Sequence, residues 1–206
     1  MGGTAMPKET FFNLPLVKQD KLIEASANEF ARKSCAEASI NRIIQTAVIP
    51  RGSFYQYFSG KTDLFQYVLH HYGEQMETLI LQELWRCGGK LLELPLAFYN
   101  SVLLNIQDKR SPLVLLPDIL RRNADMGQTA MMPDAMQAVL EQADWSGLSV
   151  ESPEERLCLL ELLFSSVRRS LMEVFCGRLT PEESRKQLVI KTALIRCGAE
   201  ESGSRI

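Results

Sequence analysis

Residues 50–64 read PRGSFYQYFSGKTDL. On a helix Phe54 and Phe58, four residues apart, share one face, and Arg51, Gly52, Ser53 and Gln56 fall on the others. Pro50 suits the first turn of such a helix, where its missing N–H is not needed, and Ser59-Gly60 punctuates the end. Immediately upstream, Ile40, Ile43, Ile44 and Ala47 recur at i, i+3, i+4 and i+7 behind Ser39, a natural N-cap. Only Val48 and Ile49 separate that pattern from Pro50, so the spacing predicts helix, tight turn, helix. Farther back, Ile23, Ala27, Phe30 and Ala31 mark an amphipathic first helix between Pro15 and Lys33, closed by a polar break over Ser34 to Ala38.

Downstream the helical period continues. Leu64, Phe65, Val68, Tyr72, Met76, Leu79, Ile80 and Leu84 form a long stripe that Cys87-Gly88-Gly89 ends. Further helices are predicted over Leu94 to Asp108, Pro112 to Asn123 and Pro133 to Asp144. From Pro153 to Phe175, Leu157, Leu160, Phe164, Val167, Leu171 and Val174 alternate steps of three and four, a coiled-coil-like seam that Gly177 closes. Thr180, with Glu183 three residues on, makes a capping box for a last helix reaching Arg196. No segment shows strand alternation, so the expected fold is all-α, with about nine helices. It divides into an N-terminal three-helix helix-turn-helix domain over 1–62 and a larger C-terminal helical domain over 63–206.

With 46% hydrophobic and 23% charged residues in a 206-residue chain, one or two compact cores are expected. The apolar runs fall far short of the roughly 18 residues of a membrane helix, and the N-terminus lacks an apolar stretch behind a basic start, so the expected location is the cytoplasm. Five scattered cysteines with no C-x-x-C pair suggest neither a disulfide framework nor a zinc site. The two histidines, His70 and His71, are adjacent and point about 100° apart, so no metal and no cofactor are expected. No nucleophile, base or ligand constellation converges in the sequence, which argues against an enzyme. Residues 1–62 hold eight basic and five acidic side chains, a net +3, and the remainder is net −5, the distribution of a polyanion-binding head on an acidic body.

The face opposite Phe54 and Phe58 reads either as a solvated polar helix surface or as a groove reader. Arg bonds guanine bidentately, Gln pairs with adenine, and Gly52 allows close backbone approach, whereas Tyr55, Tyr57 and Lys61 suit phosphates. The stretches IEASANEFARK, SINRIIQTA and GSFYQYFSGKTDLF, within Lys18 to about Leu69, resemble the DNA-binding domain of TetR/AcrR transcriptional regulators. The match rests on Gly52, Phe54, Tyr55, Tyr57, Phe58, Lys61 and Leu64. The resemblance implies that Ser39, Tyr55, Tyr57 and Lys61 touch phosphates and that Asn41, Arg42, Arg51, Ser53 and Gln56 lie near base edges. Three positions depart from the family pattern: Ser34 and Val48 stand where glycines are usual, and Pro50 replaces a common Ser. A left-handed non-glycine residue costs about 1 to 2 kcal/mol, so the turn at Val48 either differs locally or is strained.

For the body the resemblance is one of architecture: an effector-binding, dimerising domain. The seam residues Leu157, Leu160, Val167, Leu171 and Val174, with Leu188, Thr192 and Ile195 on the last helix, resemble the hairpin of the family's four-helix dimer interface; a plain internal core is the competing reading. Met76, Trp85, Phe98, Leu116, Met132 and Phe164, together with Met126, Met131 and Met136, are candidates to line a largely apolar effector pocket. Arg168 either binds an acidic ligand or pairs with a carboxylate across the dimer. The partners implied are a double-stranded DNA operator, a second copy of the chain and a small-molecule effector. A helical interaction or sensor module that has lost specific DNA binding is the alternative.

Overall fold

Each predicted helix is present in a computed structural model that describes residues 7–123 and 133–199. After a short α1 (Glu9–Phe12) come α2 (Leu16–Arg32), α3 (Ile40–Ala47), α4 (Arg51–Tyr57), α5 (Lys61–Arg86) and α6 (Leu94–Gln107). A 3₁₀ turn over Pro112–Leu115 leads into α7 (Leu116–Arg122), followed by α8 (Pro133–Gln142), α9 (Pro153–Phe175) and α10 (Pro181–Ala199). No strand occurs among the described residues; Lys90 and Asp144 form an isolated bridge. That bridge accounts for Gly89, at φ +80°: a Cβ there would meet the Asp144 nitrogen at 3.2 Å. The described helices contain no span long and apolar enough to cross a membrane.

Two compact units result. The first comprises residues 1–75 and 112–131, the second 76–111 and 132–206. The head expected over 1–62 lies wholly in the first unit, which also takes in the start of α5 and all of α7. The α7 contribution is anchored by polar groups as well as by burial of Leu116, Ile119 and Leu120. Arg122 Nε donates to the Ala31 carbonyl at 2.7 Å, and the Cys35 N–H donates to Asn123 Oδ1 at 2.7 Å, so α7 closes the C-terminal end of α2. Burial raises the pKa of the Cys35 thiol, against smaller lowering effects of Thr62 and Lys61. The sequence pattern missed α1, because four residues carry no helical period.

In the second unit α9 and α10 pack on each other and on α6. Both long helices begin with capping boxes. At α9 the Glu155 N–H donates to Ser152 Oγ at 3.1 Å and the Ser152 N–H donates to Glu155 Oε2 at 3.0 Å. At α10 the equivalent bonds join Glu183 and Thr180, at 3.2 and 2.9 Å. The seam on α9 turns inward: Leu160, Phe164, Val167 and Leu171 are buried within the unit, as are Leu188 and Thr192 on α10. Val174 and Ile195 are half-buried, and Leu157 is exposed. The exposed apolar residues of the hairpin are instead Leu157 and Leu162 on α9 and Val189, Ile190 and Leu194 on α10. The physical reason is that a three-four seam faces whatever helix packs nearest, and α6 and α10 of the same chain take that place.

The expected pocket residues disperse. Phe98 and Phe164 line one apolar cavity with Leu91, Leu94, Pro95, Leu163 and Val167. It has room for about one water. Met76 is buried in the second unit and Leu116 in the first. Trp85 is 82% exposed because it follows buried Leu84 by one position, about 100° around the helix. Arg168, one residue after buried Val167, is turned to the surface for the same reason. Met132, like Met126 and Met131, lies outside the described residues; Met136 is half-buried on α8.

Candidate nucleic-acid interface

The first unit is built around α2, α3 and α4. Ile43, Ile44 and Ala47 bury one side of α3, and Phe54 with the following Phe58 anchors α4 with no exposure at all. Phe58 meets Phe54 at 5.9 Å and Phe11 at 5.2 Å between ring centroids. These anchors leave Asn41, Arg42, Gln45 and Thr46 exposed on α3 and Arg51, Gly52, Tyr55 and Gln56 exposed on α4. Ser53 and Tyr57 are half-buried at its edge.

The entry to α3 is fixed twice. Ser39 Oγ accepts the Arg42 N–H at 3.4 Å, and the Ser39 N–H donates to Glu29 Oε1 at 3.0 Å. Glu29, 2% exposed on α2, also places Oε2 3.8 Å from Arg42 Nη1, which tethers a guanidinium whose side chain remains largely exposed. A carboxylate at a helix N-terminus is favoured by the helix dipole. Sequence spacing does not reveal Glu29, because ten residues and a loop separate it from the cap it serves.

The turn between α3 and α4 keeps left-handed geometry with a valine. Val48 sits at φ 56°, ψ 48°, the one positive-φ non-glycine among the described residues. Its N–H donates to the Gln45 carbonyl at 3.3 Å and the Ile49 N–H donates to Ile44 at 2.9 Å, the paired bonds of a Schellman motif. Strain is therefore what the Val48 departure produces. Ser34 is different: α2 ends at Lys33 in extended backbone, φ −137°, and no glycine is needed there. Pro50 stands one position earlier than expected, as N-cap of α4, where its carbonyl accepts the Ser53 N–H at 3.0 Å.

Over the open side of α4 nothing among the described residues explains a glycine at position 52: a Cβ built there meets none of their atoms within 4 Å, and its φ is not positive. Gly in a helix interior costs about 0.5–1 kcal/mol relative to Ala. An exposed, unstrained helical glycine next to Arg51 and Gln56 suits close approach by something outside the chain. Lys61, half-buried, donates from Nζ to the Ala36 carbonyl; an ammonium has three N–H donors, so two remain for an anion. Tyr55 is 45% exposed and packs edge-on against Phe54 at 5.2 Å between ring centroids. Thus Asn41, Arg42, Arg51, Gly52, Tyr55 and Gln56 lie on the exposed side of the two helices, with Ser39, Ser53, Tyr57 and Lys61 at its margins. No group of three or more potential metal ligands occurs among the described residues.

The family described as bacterial regulatory proteins, tetR family, matches residues 22–68, from α2 into α5. Among solved structures, the chain is similar to a tetR-family transcriptional regulator from Streptomyces coelicolor, with a TM-score of 0.60 and 19% identity over 90% of this chain and 82% of that one. A second TetR-family regulator from the same organism has a TM-score of 0.58 and 16% identity over 90% and 97% of the two chains. One from Pectobacterium atrosepticum has a TM-score of 0.54 and 16% identity over 86% and 90%. At these identities the structural likeness is one of fold. The family match thus covers the helix-turn-helix that carries the motif GSFYQYF, and beyond it the chain shares the all-helical fold of these regulators.

Proposed function

We propose that the protein is a cytoplasmic, ligand-responsive repressor that binds a palindromic operator as a homodimer. In this reading the segment 1–62 reads DNA and 63–206 binds the effector and dimerises. Arg42, Asn41, Arg51, Ser53 and Gln56 approach base edges, and Ser39, Tyr55, Tyr57 and Lys61 hold phosphates. The single observation that carries it is the exposed α4 face, where Gly52 has open space beside Arg51 and Gln56. A two-fold dimer sets its reading helices about 34 Å, or a multiple of that, apart, which is why a palindrome is expected. The exposed Leu162, Val189, Ile190 and Leu194 support a dimer surface on the α9–α10 hairpin. For the effector, the apolar cavity between α6 and α9 is the favoured entry; it must widen to admit more than a water. A coupling of about 1–3 kcal/mol between effector and operator suffices for a 5- to 150-fold loss of DNA affinity.

Loss of DNA binding, the alternative, draws no support from the turn, which retains its geometry despite Val48. The experiment is selection of bound duplexes from a randomised library at moderate salt, followed by sequencing. Enrichment of a palindrome is the expected result; recovery of unenriched DNA refutes specific operator binding.

A further inference from the structure

The proposed reading helix has little to hold its own end. With seven residues, α4 is far below the length at which an isolated helix is stable. It stops at Phe58 in extended backbone, with no glycine and no basic residue in its last turn, so its final carbonyls need outside donors. Those donors come from residues more than forty positions earlier. The Lys8 N–H donates to the Tyr57 carbonyl at 2.9 Å, Lys8 Nζ donates to the Tyr55 carbonyl at 2.9 Å, and Thr10 Oγ1 donates to the Gln56 carbonyl. Three consecutive carbonyls of α4 are thereby closed by one tripeptide. The Lys8 ammonium also brings a positive charge to the negative end of the helix dipole.

The arm that supplies these donors is itself seated. Phe11 has no exposure and lies 5.2 Å from both Phe58 and Tyr67 and 6.2 Å from Tyr57, between ring centroids. Gln19 of α2 donates to the carbonyls of Leu14 at 2.9 Å and Phe12 at 3.4 Å, fixing the exit of α1. The chain of contacts runs from α2 through α1 to the last turn of α4. Tyr55, Gln56 and Tyr57 are the residues whose carbonyls are held, and their side chains belong to the proposed DNA surface.

We infer that Lys8 and Thr10 are positioning residues for DNA reading, setting the last turn of α4 and with it the aim of Tyr55, Gln56 and Tyr57. This rests on the DNA-binding reading above. A site held within about 0.5 Å by supporting groups loses discrimination when they are removed, even if the fold survives. Both side chains are exposed, so their replacement leaves the core intact.

The test uses the full chain with Thr10→Val and Lys8→Met, and with Thr10→Ser and Lys8→Arg as variants that keep a donor. Two quantities are read: amide exchange of the Phe58 N–H in the free protein, and affinity for the library-selected duplex against a scrambled duplex of equal length. Each donor-free variant is expected to speed Phe58 exchange about 3- to 10-fold and lower the selected-to-scrambled ratio about fivefold, with both donor-keeping variants near wild type. Unchanged exchange, or faster exchange with an unchanged ratio, overturns the inference while leaving the function standing. An equal loss on both duplexes overturns it too, making Lys8 an ordinary phosphate contact. A wild-type protein that selects no sequence removes the function and, with it, the positioning role.

Discussion

Replacing Val48 by glycine tests the strain in the α3–α4 turn. Val48 holds φ 56° and ψ 48° with 84% of its surface exposed. The left-handed conformation costs an L-residue about 1–2 kcal/mol, and the branched Cβ places valine toward the upper end. Against this, glycine loses about 0.5–1 kcal/mol more backbone entropy on folding. Full burial of a valine contributes about 1.5–3 kcal/mol, so removing a side chain this exposed forfeits about 0.3–0.5 kcal/mol. The difference predicts that Val48→Gly stabilises by about 0.5 kcal/mol, a rise in Tm of about 1–2 °C for a chain of this length. Urea unfolding with an unchanged m-value, checked by calorimetry, measures it. Val48→Ala, which keeps the left-handed penalty, and Val48→Asn, which tolerates it, place alanine below asparagine below glycine. A glycine variant less stable than wild type, or an alanine variant equal to glycine, refutes the account.

Other outcomes follow from the same geometry. Gly52→Ala is expected to stabilise α4 by about 0.5–1 kcal/mol, since its Cβ meets nothing among the described residues, yet to weaken operator binding tenfold or more; unaltered affinity in a gel-shift titration counts against close approach there. Arg51→Ala should relax sequence preference, whereas Lys61→Ala should weaken all duplexes alike and reduce the salt slope by about one, as salt-dependent titrations will show. Leu194→Glu, at an exposed apolar position of α10, should yield monomers in sedimentation; persistence of a dimer moves the interface elsewhere. Hydrogen bonds from Ser152 and Thr180 hold the carboxyls of Glu155 and Glu183 below the usual range, and Arg178 does so for Glu173. Because these folded-state pKa values are depressed, their stabilisation is full above the unfolded carboxylate pKa of about 4.3 and is lost as pH falls through the folded values. Thermal melts between pH 7 and pH 3 should therefore drop below about pH 4.5, and less so for Thr180→Ala.

Most helices were legible from the sequence because their signals are local. A period of 3.6, Thr180 with Glu183, and Gly88-Gly89 each act within a turn or two, and so did the Phe54 and Phe58 anchors that assign the outer face of α4. The Val48 strain was legible as one of two outcomes, since a glycine position filled by valine either bends the backbone or pays in conformational energy; only the backbone itself decided between them.

What the sequence could not determine depends on groups brought together from far apart. A seam of Leu160, Val167 and Leu171 reads the same whether its partner is a second chain or α6 and α10 of its own, and packing chose the latter, leaving Leu162, Ile190 and Leu194 outside. Trp85 and Arg168 fell away from the expected pocket through a 100° step that periodicity fixes only once the buried face is known. The Glu29 cap of α3 and the Lys8 and Thr10 donors to α4 cross ten to forty-nine positions. Helix periodicity is a short-range property of the chain, whereas satisfaction of a helix end or burial of a face is settled by whichever neighbour the fold supplies.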